Sequence, residues 1–266
     1  MKISLIIPTY NREKQLIKAI ESVLLQTIQV DEIIVIDDGS TDNTKDVVKK
    51  YDLKYIYQEN QGVSKARNSG IKIAKNDWIC FLDSDDIWEK NKLEKQISFH
   101  TQNPNILFSH TDELWIFNDK IIKQKKHQLK PKGFCFKENI ENTLIGASTV
   151  MIHKNIFKDV GYFDESLIAC EDYDLWLRVL YKYELGLINE KLIQKLAGHE
   201  NQLSFTTPLM DKYRIESLLK HINSTYQKEI KELISRKCDI LIKGAIKYEN
   251  KDIENYYIKL KKLSTN

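Results

Sequence analysis

The stretch Trp78-Ile79-Cys80-Phe81-Leu82-Asp83-Ser84-Asp85-Asp86 decides the fold class of this protein. Five apolar residues follow one another without polar alternation, which is typical of a strand buried on both faces of a sheet. Four polar residues then close the run. Residues 3–7 and 32–36 form two earlier runs of the same kind, each also closed by polar residues. The repeated pattern predicts an α/β protein with a mixed, mostly parallel, Rossmann-like sheet.

Helical spacing follows the polar clusters and supports this interpretation. Leu16, Ile20 and Val23 recur at helical intervals after the first cluster, as do Leu93 and Ile97 after the third. Ligands of open α/β sheets bind beyond the carboxyl ends of the strands, so the polar clusters are the expected site. The sequence contains neither G-x-G-x-x-G nor G-K-[ST], the dinucleotide and P-loop fingerprints.

Composition narrows the class of protein further. The 266 residues are 42% apolar and 30% charged, which excludes a disordered, collagen-like or multi-span membrane chain. The formal net charge of +3 is too balanced for a dedicated nucleic-acid binder, so no nucleic-acid partner is expected. The charge is uneven, however, because residues 205–266 hold 13 lysines and arginines against 8 acids.

Cysteine usage and hydropathy predict a cytoplasmic protein. Cys80, Cys135, Cys170 and Cys238 lie far apart without C-x-x-C spacing, which favours ordinary reduced thiols over a zinc site or a disulfide framework. Pro8 interrupts the first apolar run, so we expect no signal peptide. No segment approaches the roughly 20 apolar residues of a membrane span.

The acidic cluster after residue 82 is the strongest chemical signal in the sequence. Asp83, Asp85 and Asp86 place three carboxylates within four residues, and such repulsion is relieved by protons, a cation or a metal. Carboxylate and phosphate oxygens suit Mg²⁺ or Mn²⁺. The alternative is helix capping by Asp85 or Asp86, which explains only one of the three carboxylates.

The cluster at residues 37–42 leaves two interpretations open. Ser40 or Thr41 is expected to cap a helix beginning near Asp42, with Gly39 supplying the turn. Asp38 then stands at the carboxyl end of a strand, where it either belongs to this turn or accepts hydrogen bonds from a ligand.

Six segments, in order and spacing, resemble the family 2 glycosyltransferases, which have the GT-A fold. The segments are residues 5–12 (LIIPTYNR), 35–42 (VIDDGSTD), 66–70 (ARNSG), 81–86 (FLDSDD), 161–165 (GYFDE) and 171–178 (EDYDLWLR). The resemblance covers about residues 1–204. It implies a catalytic domain over 1–204, with a nucleotide-sugar half near 1–100 and an acceptor half near 101–204. Residues 205–266 are then a helical appendage.

The resemblance also implies roles for individual residues. The donor-binding set is Thr9, Tyr10, Asp38, Arg67, Asp83 and Ser84. In this set Thr9 and Tyr10 line the base, Asp38 holds it, and Asp83 faces the ribose. Asp85 is implied as the ligand of Mn²⁺ or Mg²⁺ at the donor diphosphate. Taken alone, Arg67 would be an ordinary surface residue of a helix.

On the acceptor side, the resemblance makes Asp172 the general base, with Glu171 and Trp88 beside the acceptor. A base must lie within hydrogen-bond reach of the attacking hydroxyl. The alternative for Glu171 and Asp172 is a favourable interaction with the macrodipole of a helix. Trp88 is otherwise a core residue like the other tryptophans.

His199 is implied as a second group near the metal or diphosphate, since many relatives place a histidine shortly after this helix. The alternative is a loop or buried structural histidine.

The resemblance implies an inverting, metal-dependent glycosyltransferase of polysaccharide or cell-envelope biosynthesis. It would move a sugar from a nucleotide diphosphate donor, expected to be UDP-linked, to a hydroxyl of a cell-surface glycan or lipid-linked precursor. The alternatives are an inactive sugar-binding or assembly subunit, a nucleotidyltransferase and an aspartyl phosphatase.

A second expectation concerns membranes. The segment 120–132 carries six lysines and no acid, and the tail from 205 adds its own basic surplus. Basic residues attract anionic lipid surfaces, so peripheral contact with the inner face of the cytoplasmic membrane is expected. The alternative is that the tail packs on the body of the protein.

Overall fold

The computed structural model describes residues 1–118, 120–125, 128–197, 207 and 209–265. Nine strands are assigned within this part of the chain: β1 (Ile3–Thr9), β2 (Glu32–Asp37), β3 (Lys54–Tyr57), β4 (Trp78–Phe81), β5 (Asp86–Trp88), β6 (Phe108–Phe117), β7 (Lys120–Ile122), β8 (Met151–His153) and β9 (Leu185–Ala197).

The strands form one mixed, mostly parallel sheet in the order β3-β2-β1-β4-β8-β6-β9-β5, with β7 paired to β6. β1 to β4 are parallel to one another, and β6 and β9 are also a parallel pair. β8, β5 and β7 run antiparallel to their neighbours. Because β1, β2 and β4 are parallel, their carboxyl ends lie at the same edge of the sheet.

Ten helices accompany the sheet in the described residues: α1 (Glu13–Leu24), α2 (Thr44–Val48), α3 (Val63–Ile73), α4 (Lys92–Gln102), α5 (Phe136–Asn139), α6 (Asn155–Val160), α7 (Glu171–Leu180), α8 (Met210–Leu219), α9 (Gln227–Lys247) and α10 (Lys251–Thr265). Among these, no helix combines the length and apolar character needed to cross a bilayer.

The sheet is buried on both faces, which explains the unbroken apolar runs of the sequence. On β1, Leu5 and Ile7 join one apolar cluster with helix α1, while Ile6 joins a second cluster with α3. Gly70 allows the close approach of α3 to β1, because a Cβ there would lie 2.5 Å from a methyl of Ile6. Helix α3 is thereby held against the sheet beside the polar edge.

One local expectation about the polar clusters is wrong, and one alternative is excluded. Helix α2 begins at Thr44, close to the expected start near Asp42, but neither Ser40 nor Thr41 caps it, because Asp42 accepts the Thr44 amide and hydroxyl hydrogens instead. After the acidic cluster comes β5, and α4 begins only at Lys92. Neither Asp85 nor Asp86 therefore caps α4.

The C-terminal helices pack on the body of the protein. Ile215 and Leu218 of α8 and Ile230 of α9 belong to the same buried cluster as Trp176 of α7. The ring of Phe136 stacks on Tyr226 with centroids 4.7 Å apart. The expected helical character of the tail is confirmed, and the tail shares the core of the sheet domain.

The described part of the lysine-rich segment contains a short strand and a buried lysine. Its first residues form β7, and Lys130 is buried, with its Nζ atom 2.7 Å from Glu113 Oε1 and 2.7 Å from the Leu144 carbonyl oxygen. Lys130 is therefore unavailable to an external surface, whereas Lys126 lies outside the described residues.

Candidate active site

The buried guanidinium of Arg67 joins the two acidic motifs of the chain. Nη2 donates to Asp83 Oδ1 at 2.7 Å, and Nη1 donates to Glu171 Oε1 at 2.6 Å. The guanidinium carbon also lies 5.2 Å from the ring centroid of Phe163. Arg67 is only 4% exposed. One side chain of α3 thus links the end of β4 to the first residue of α7.

This arrangement determines the charge of Asp83. Burial alone would raise the pKa of its carboxyl group, but the charges of Arg67, Lys195 and Arg12 and the hydrogen bond from Arg67 together outweigh burial. The pKa of Asp83 is therefore held below its usual range, and Asp83 is ionised at neutral pH.

Asn68, the residue after Arg67, fixes the neighbouring loop. Its side-chain amide donates to the Phe163 carbonyl at 2.9 Å, and the Phe163 amide donates back to Asn68 Oδ1 at 3.0 Å. The same amide nitrogen also lies 2.9 Å from Glu165 Oε1. The segment 66–70 therefore holds the segment 161–165 beside α7, and these two segments form one structural unit.

Asp172 follows Glu171 at the start of α7 and is partly buried. Its Oδ1 accepts the Tyr173 amide hydrogen at 2.7 Å. Burial raises the pKa of Asp172, the charge of Glu171 raises it further, and Arg67 opposes both, leaving the pKa at about 7. A carboxylate whose pKa lies near neutrality suits general-base catalysis.

Asp86 is buried at 3% exposure and belongs to a polar network behind Asp85. The Ser148 hydroxyl donates to Asp86 Oδ2 at 2.6 Å and accepts the Asp83 amide hydrogen at 3.0 Å. Lys195 Nζ lies 3.8 Å from Asp86 Oδ2. Burial raises the pKa of Asp86 to about 8, with Lys195 opposing and the charges of Asp83 and Asp85 adding to the rise.

Asp85 has 15% of its side chain exposed, less than Asp83 at 26% and more than Asp86 at 4%. It forms an ion pair with Arg12, the last residue of the first motif. A cavity of about 180 Å³ opens beside it, lined by Lys14, Gln15, Lys18, Asp85, Asp86, Ile87 and Leu196. An anionic ligand in this cavity would meet Lys14 and Lys18 of α1.

The carboxylates at this edge of the sheet are candidate ligands for a divalent cation. In the described part of the chain, no three potential ligands converge into a complete protein cage. Mg²⁺ and Mn²⁺ do not need one, since they are commonly held by one or two carboxylates together with substrate phosphates and water. The hard oxygens of Asp85 fit that mode of binding. His199, the other expected metal residue, lies outside the described residues.

The expected base-binding residues lie at the adjacent ends of β1 and β2. The amide of Asp38 donates to the Thr9 carbonyl at 2.9 Å. Thr9 is 4% exposed and Tyr10 is 48% exposed. Asp38 accepts hydrogen bonds from Gln58, Gln61 and Gly62. Asp38 thus holds the loop before α3, and a contact with a base would be additional to this role.

Ser84 and Trp88 are both buried. The structure corrects the acceptor-side expectation for Trp88, which is 2% exposed. Its indole nitrogen donates to the Ser148 carbonyl at 3.1 Å, and Lys92 Nζ lies 3.9 Å from the centre of its ring. No face of this indole is left for a sugar, so Trp88 is a core residue.

Sequence reasoning missed Lys195, Ser148 and the role of Arg12. Lys195 lies in register with Asp86 on one neighbouring strand and with Trp115 on the other. Burial would lower the pKa of Lys195, but the surrounding carboxylates, Asp86 and Glu113 foremost, hold it above its usual value. Strand pairing brings Lys195 beside Asp86, and Ser148 bonds to Asp86 from a single 3-10 turn at Ala147–Thr149. No local motif could therefore have identified Lys195 or Ser148.

The chain is similar to known proteins over most of its length. A family model described as Glycosyl transferase family 2 matches residues 4–161. An uncharacterized glycosyltransferase of Rickettsia felis is 37% identical over 219 residues, a match covering 80% of this chain and 35% of that protein. The chain therefore spans about a third of the length of this relative.

Two further matches, one to a relative and one to a solved structure, extend over most of the matched protein. The Escherichia coli protein WfgD, named UDP-Glc:α-D-GlcNAc-diphosphoundecaprenol β-1,3-glucosyltransferase, is 36% identical over 191 residues, covering 70% of this chain and 73% of WfgD. The crystal structure of S. aureus TarS 1-349 in complex with UDP-GlcNAc superposes with a TM-score of 0.67 and 19% identity, over 97% of this chain and 92% of TarS. At this identity the second likeness shows the fold alone.

Proposed function

The chain belongs to glycosyl transferase family 2, and from this premise we propose that it transfers a sugar from a nucleotide diphosphate donor to an acceptor hydroxyl with inversion of configuration. The donor is a UDP-sugar. The acceptor is a lipid-linked glycan precursor of the cell envelope, a sugar carried on a polyprenyl diphosphate.

One observation carries this proposal. Arg67 holds Asp83 of the donor-side motif and Glu171 of the acceptor-side motif within hydrogen-bond distance of a single guanidinium. The two motifs therefore face a common space at one edge of the sheet. A transferase needs this juxtaposition, because donor and acceptor must meet in line for direct displacement.

Asp172 serves as the general base. Its carboxylate accepts the proton of the acceptor hydroxyl while the oxygen attacks the anomeric carbon and the bond to the nucleotide diphosphate breaks. With a pKa at about 7, a substantial fraction of Asp172 is ionised at neutral pH, and it remains basic enough to take a proton. Glu171 is held away from this task by Arg67.

The base-binding end of the donor site consists of Thr9, Tyr10 and Asp38. Its ribose end consists of Asp83 and Ser84. Asp85, with His199, would hold Mn²⁺ or Mg²⁺. When bound, the metal supplies positive charge that stabilises the leaving diphosphate. Lys14 and Lys18 add positive charge in the cavity beside Asp85.

The names of relatives support the lipid-linked acceptor. WfgD is named for transfer to a diphosphoundecaprenol-linked sugar, and the match covers 73% of its length. We place the protein in the cytoplasm with peripheral contact to the inner face of the membrane, where such acceptors are reached.

Two variants assayed for nucleotide release and product formation test the proposal. Asp172→Asn keeps the shape of the side chain but cannot take the proton, so turnover should fall by about 10²–10⁴-fold while donor affinity survives. Asp85→Ala should remove both transfer and Mn²⁺ stimulation. Near-normal turnover by either variant would contradict its assigned role, and a wild-type chain that binds UDP-sugar without turnover on any acceptor would be a binding subunit.

A further inference from the structure

A buried carboxylate beside Gly146 has one oxygen without a partner. Glu113 of β6 is 5% exposed, and its Oε1 atom accepts hydrogen bonds from Trp115 Nε1 at 3.0 Å and from Lys130 Nζ at 2.7 Å. Its Oε2 atom is buried and accepts none among the residues that the structure describes. A buried oxygen of this kind indicates a place for a hydrogen-bond donor from a ligand or from water.

Lys195 borders the same space with the opposite charge. A Cβ atom added to Gly146 would lie 3.1 Å from Glu113 Oε2 and 3.3 Å from Lys195 Nζ. In the described part of the chain, Lys195 Nζ makes no hydrogen bond, and its one ion pair is with Asp86 Oδ2 at 3.8 Å. The space over Gly146 is therefore bounded by an oxygen that can accept a hydrogen bond and an ammonium group that can donate one.

Gly146 supplies room here and no special backbone conformation. Its φ of −81° and ψ of 142° are open to any residue. Gly146 and Trp115 are partly exposed, and 22% of the Lys195 side chain is exposed, so the space lies close to the protein surface. The lysine side chain has a flexible four-carbon stem, and a small rotation of Lys195 opens Glu113 Oε2 to an entering group.

Strand pairing joins this space to the acidic cluster. Asp86, Lys195 and Trp115 lie opposite one another on β5, β9 and β6, so their side chains project from one face of the sheet. Glu113 precedes Trp115 by two residues and projects from the same face. Ser148 then links Asp86 to the end of β4 through the hydrogen bonds described above.

Lys195 also connects the space to the proposed general base. Burial and Glu171 raise the pKa of Asp172, whereas the charges of Arg67 and Lys195 lower it. Because the interaction between charges falls off with distance, Lys195 lies near the position where the attacking hydroxyl loses its proton.

The charges around the space favour a neutral ligand group. Burial would raise the pKa of Glu113, but Lys130 and Lys195 hold it below its usual range, so Glu113 is ionised. An anion would be repelled by Glu113, and a cation would be repelled by Lys195. A hydroxyl group fits both, since it donates one hydrogen bond to a carboxylate and accepts another from an ammonium group.

We propose that Glu113 and Lys195, on either side of Gly146, bind a hydroxyl group of the acceptor sugar other than the one that attacks. The inference rests on the proposed transfer to a sugar acceptor. The bound hydroxyl donates to Glu113 Oε2 and accepts from Lys195 Nζ. This contact orients the sugar ring toward Asp172 and makes the sugar itself, independently of its carrier, a feature that the enzyme recognises.

Gly146→Ala fills the space without changing a charge. Its matched control is Gly244→Ala on α9, where an added Cβ would have no atom within 4 Å. The donors are UDP-glucose and UDP-N-acetylglucosamine, and the acceptor probe is the N-acetylglucosamine diphosphate ester of a short alkanol. Gly146→Ala should raise the KM of the acceptor about tenfold, equivalent to about 1.4 kcal/mol, with the KM of the donor at its wild-type value. Gly244→Ala should behave as wild type.

Glu113→Gln tests the polarity of the contact. The amide oxygen can keep the hydrogen bonds from Trp115 and Lys130, which places an NH₂ group at the position of Oε2. This group cannot accept a hydrogen bond, so the KM of the acceptor should rise as in Gly146→Ala. Should Glu113→Gln fail to fold because Lys130 loses its charged partner, Gly146→Ala alone decides.

Deoxygenated acceptors identify the bound hydroxyl. The 3-, 4- and 6-deoxy forms of the acceptor probe are compared as competitive inhibitors of the wild type and of Gly146→Ala. One form should bind about tenfold more weakly than the parent sugar to the wild type, and this penalty should vanish in Gly146→Ala because the contact is already lost. If every penalty is the same in both proteins, the space holds only a structural water and the inference is overturned.

A binding measurement separates this inference from the proposed function. Saturation-transfer NMR with methyl N-acetylglucosaminide and UDP reports binding of the sugar without turnover. If no sugar is glycosylated but the glycoside binds to the wild type and not to Gly146→Ala, the proposed function fails and the sugar site stands. Transfer with a wild-type acceptor KM in Gly146→Ala, or a raised KM for the donor instead, would overturn the inference and leave the proposed function intact. Absence of both transfer and glycoside binding would overturn both.

Discussion

At the scale of single residues, the proposed role of Asp172 as general base predicts that activity depends on pH. The pKa of Asp172 is raised to about 7, first by burial and then by Glu171. Only the ionised form takes a proton, so kcat/KM should fall about tenfold for each pH unit below this value and level off above it.

Replacing the neighbouring charge tests the cause of this pH dependence. In Glu171→Gln the repulsion that raises the pKa of Asp172 is removed, so the acidic limb of the pH profile should move to lower pH. Lys65→Met, which breaks the surface pair of Lys65 with Glu165 on the same side of the molecule, should leave the limb in place. If the acidic limb of the pH profile does not move in Glu171→Gln, Glu171 is not a cause of the raised pKa of Asp172.

Much of the candidate site could be predicted from sequence at this scale, because its acids occupy contiguous motifs. Asp83, Asp85, Glu171 and Asp172 are brought to one edge of the sheet as the six-segment resemblance implies. Ser148 and Lys195 could not be identified, since each meets Asp86 through a contact between distant segments, which is strand pairing for Lys195 and a side-chain hydrogen bond for Ser148. Trp88 was misassigned because sequence proximity to the acids does not reveal which way a side chain faces.

At the scale of elements, Arg67 makes α3 a structural link between β4 and α7. Removing the guanidinium in Arg67→Met would leave Asp83 and Glu171 without their shared partner, and breaking a buried ion pair in this way costs about 3–5 kcal/mol. Urea unfolding should therefore show a large loss of stability.

The same helix supplies the control for Arg67→Met. Lys65 and Glu165 form a pair whose side chains are 30% and 40% exposed, with 3.2 Å between Lys65 Nζ and Glu165 Oε2. Exposed pairs contribute about 0–1 kcal/mol, so Lys65→Met should cost little. Equal losses in Arg67→Met and Lys65→Met would show that Arg67 does not hold the two motifs together.

The sequence also predicted which elements form, although not where each begins. The parallel strands were evident because their apolar runs are buried on both faces. The strand β5 was missed, because Asp86 begins a short strand and bonds to Ser148 instead of capping a following helix. The cap of α2 was misassigned, because Asp42 rather than Ser40 or Thr41 bonds to Thr44.

At the scale of the whole molecule, the tail completes the core. Lys220 Nζ lies 2.6 Å from Asp174 Oδ1, and Asp174 is fully buried. Phe136 is 1% exposed beneath Tyr226 and His221. A chain ending at residue 204 would expose Phe136 and lose the Lys220 partner of Asp174, so the boundary at 204/205 does not predict an independently stable unit.

We expect the 1–204 fragment to unfold at a markedly lower temperature than the 266-residue chain, or to aggregate. Burial of each large apolar side chain contributes about 1.5–3 kcal/mol, and total stability is commonly about 5–15 kcal/mol. Thermal unfolding followed by circular dichroism, with co-expression of 205–266 as a rescue, measures the effect. A fragment with the stability of the full chain would show that the tail is a separate domain.

The C-terminal hairpin of α9 and α10 also offers a surface for peripheral membrane contact. Ile246 and Tyr248 are 55% and 76% exposed at the end of α9, and Lys243 and Lys247 are exposed beside them. Lysines close to an anionic bilayer contribute roughly 1 kcal/mol each, and aromatic side chains favour the interface. The chain should therefore sediment with anionic vesicles at low salt and be released as added salt screens the attraction.

Replacing Lys243 and Lys247 with glutamine should weaken partitioning onto anionic vesicles about 30-fold, which corresponds to a loss of about 2 kcal/mol. The same change at the exposed residues Lys45 and Lys50 should have little effect. Equal recovery in the supernatant with neutral and anionic vesicles would instead favour a tail that serves only to complete the core.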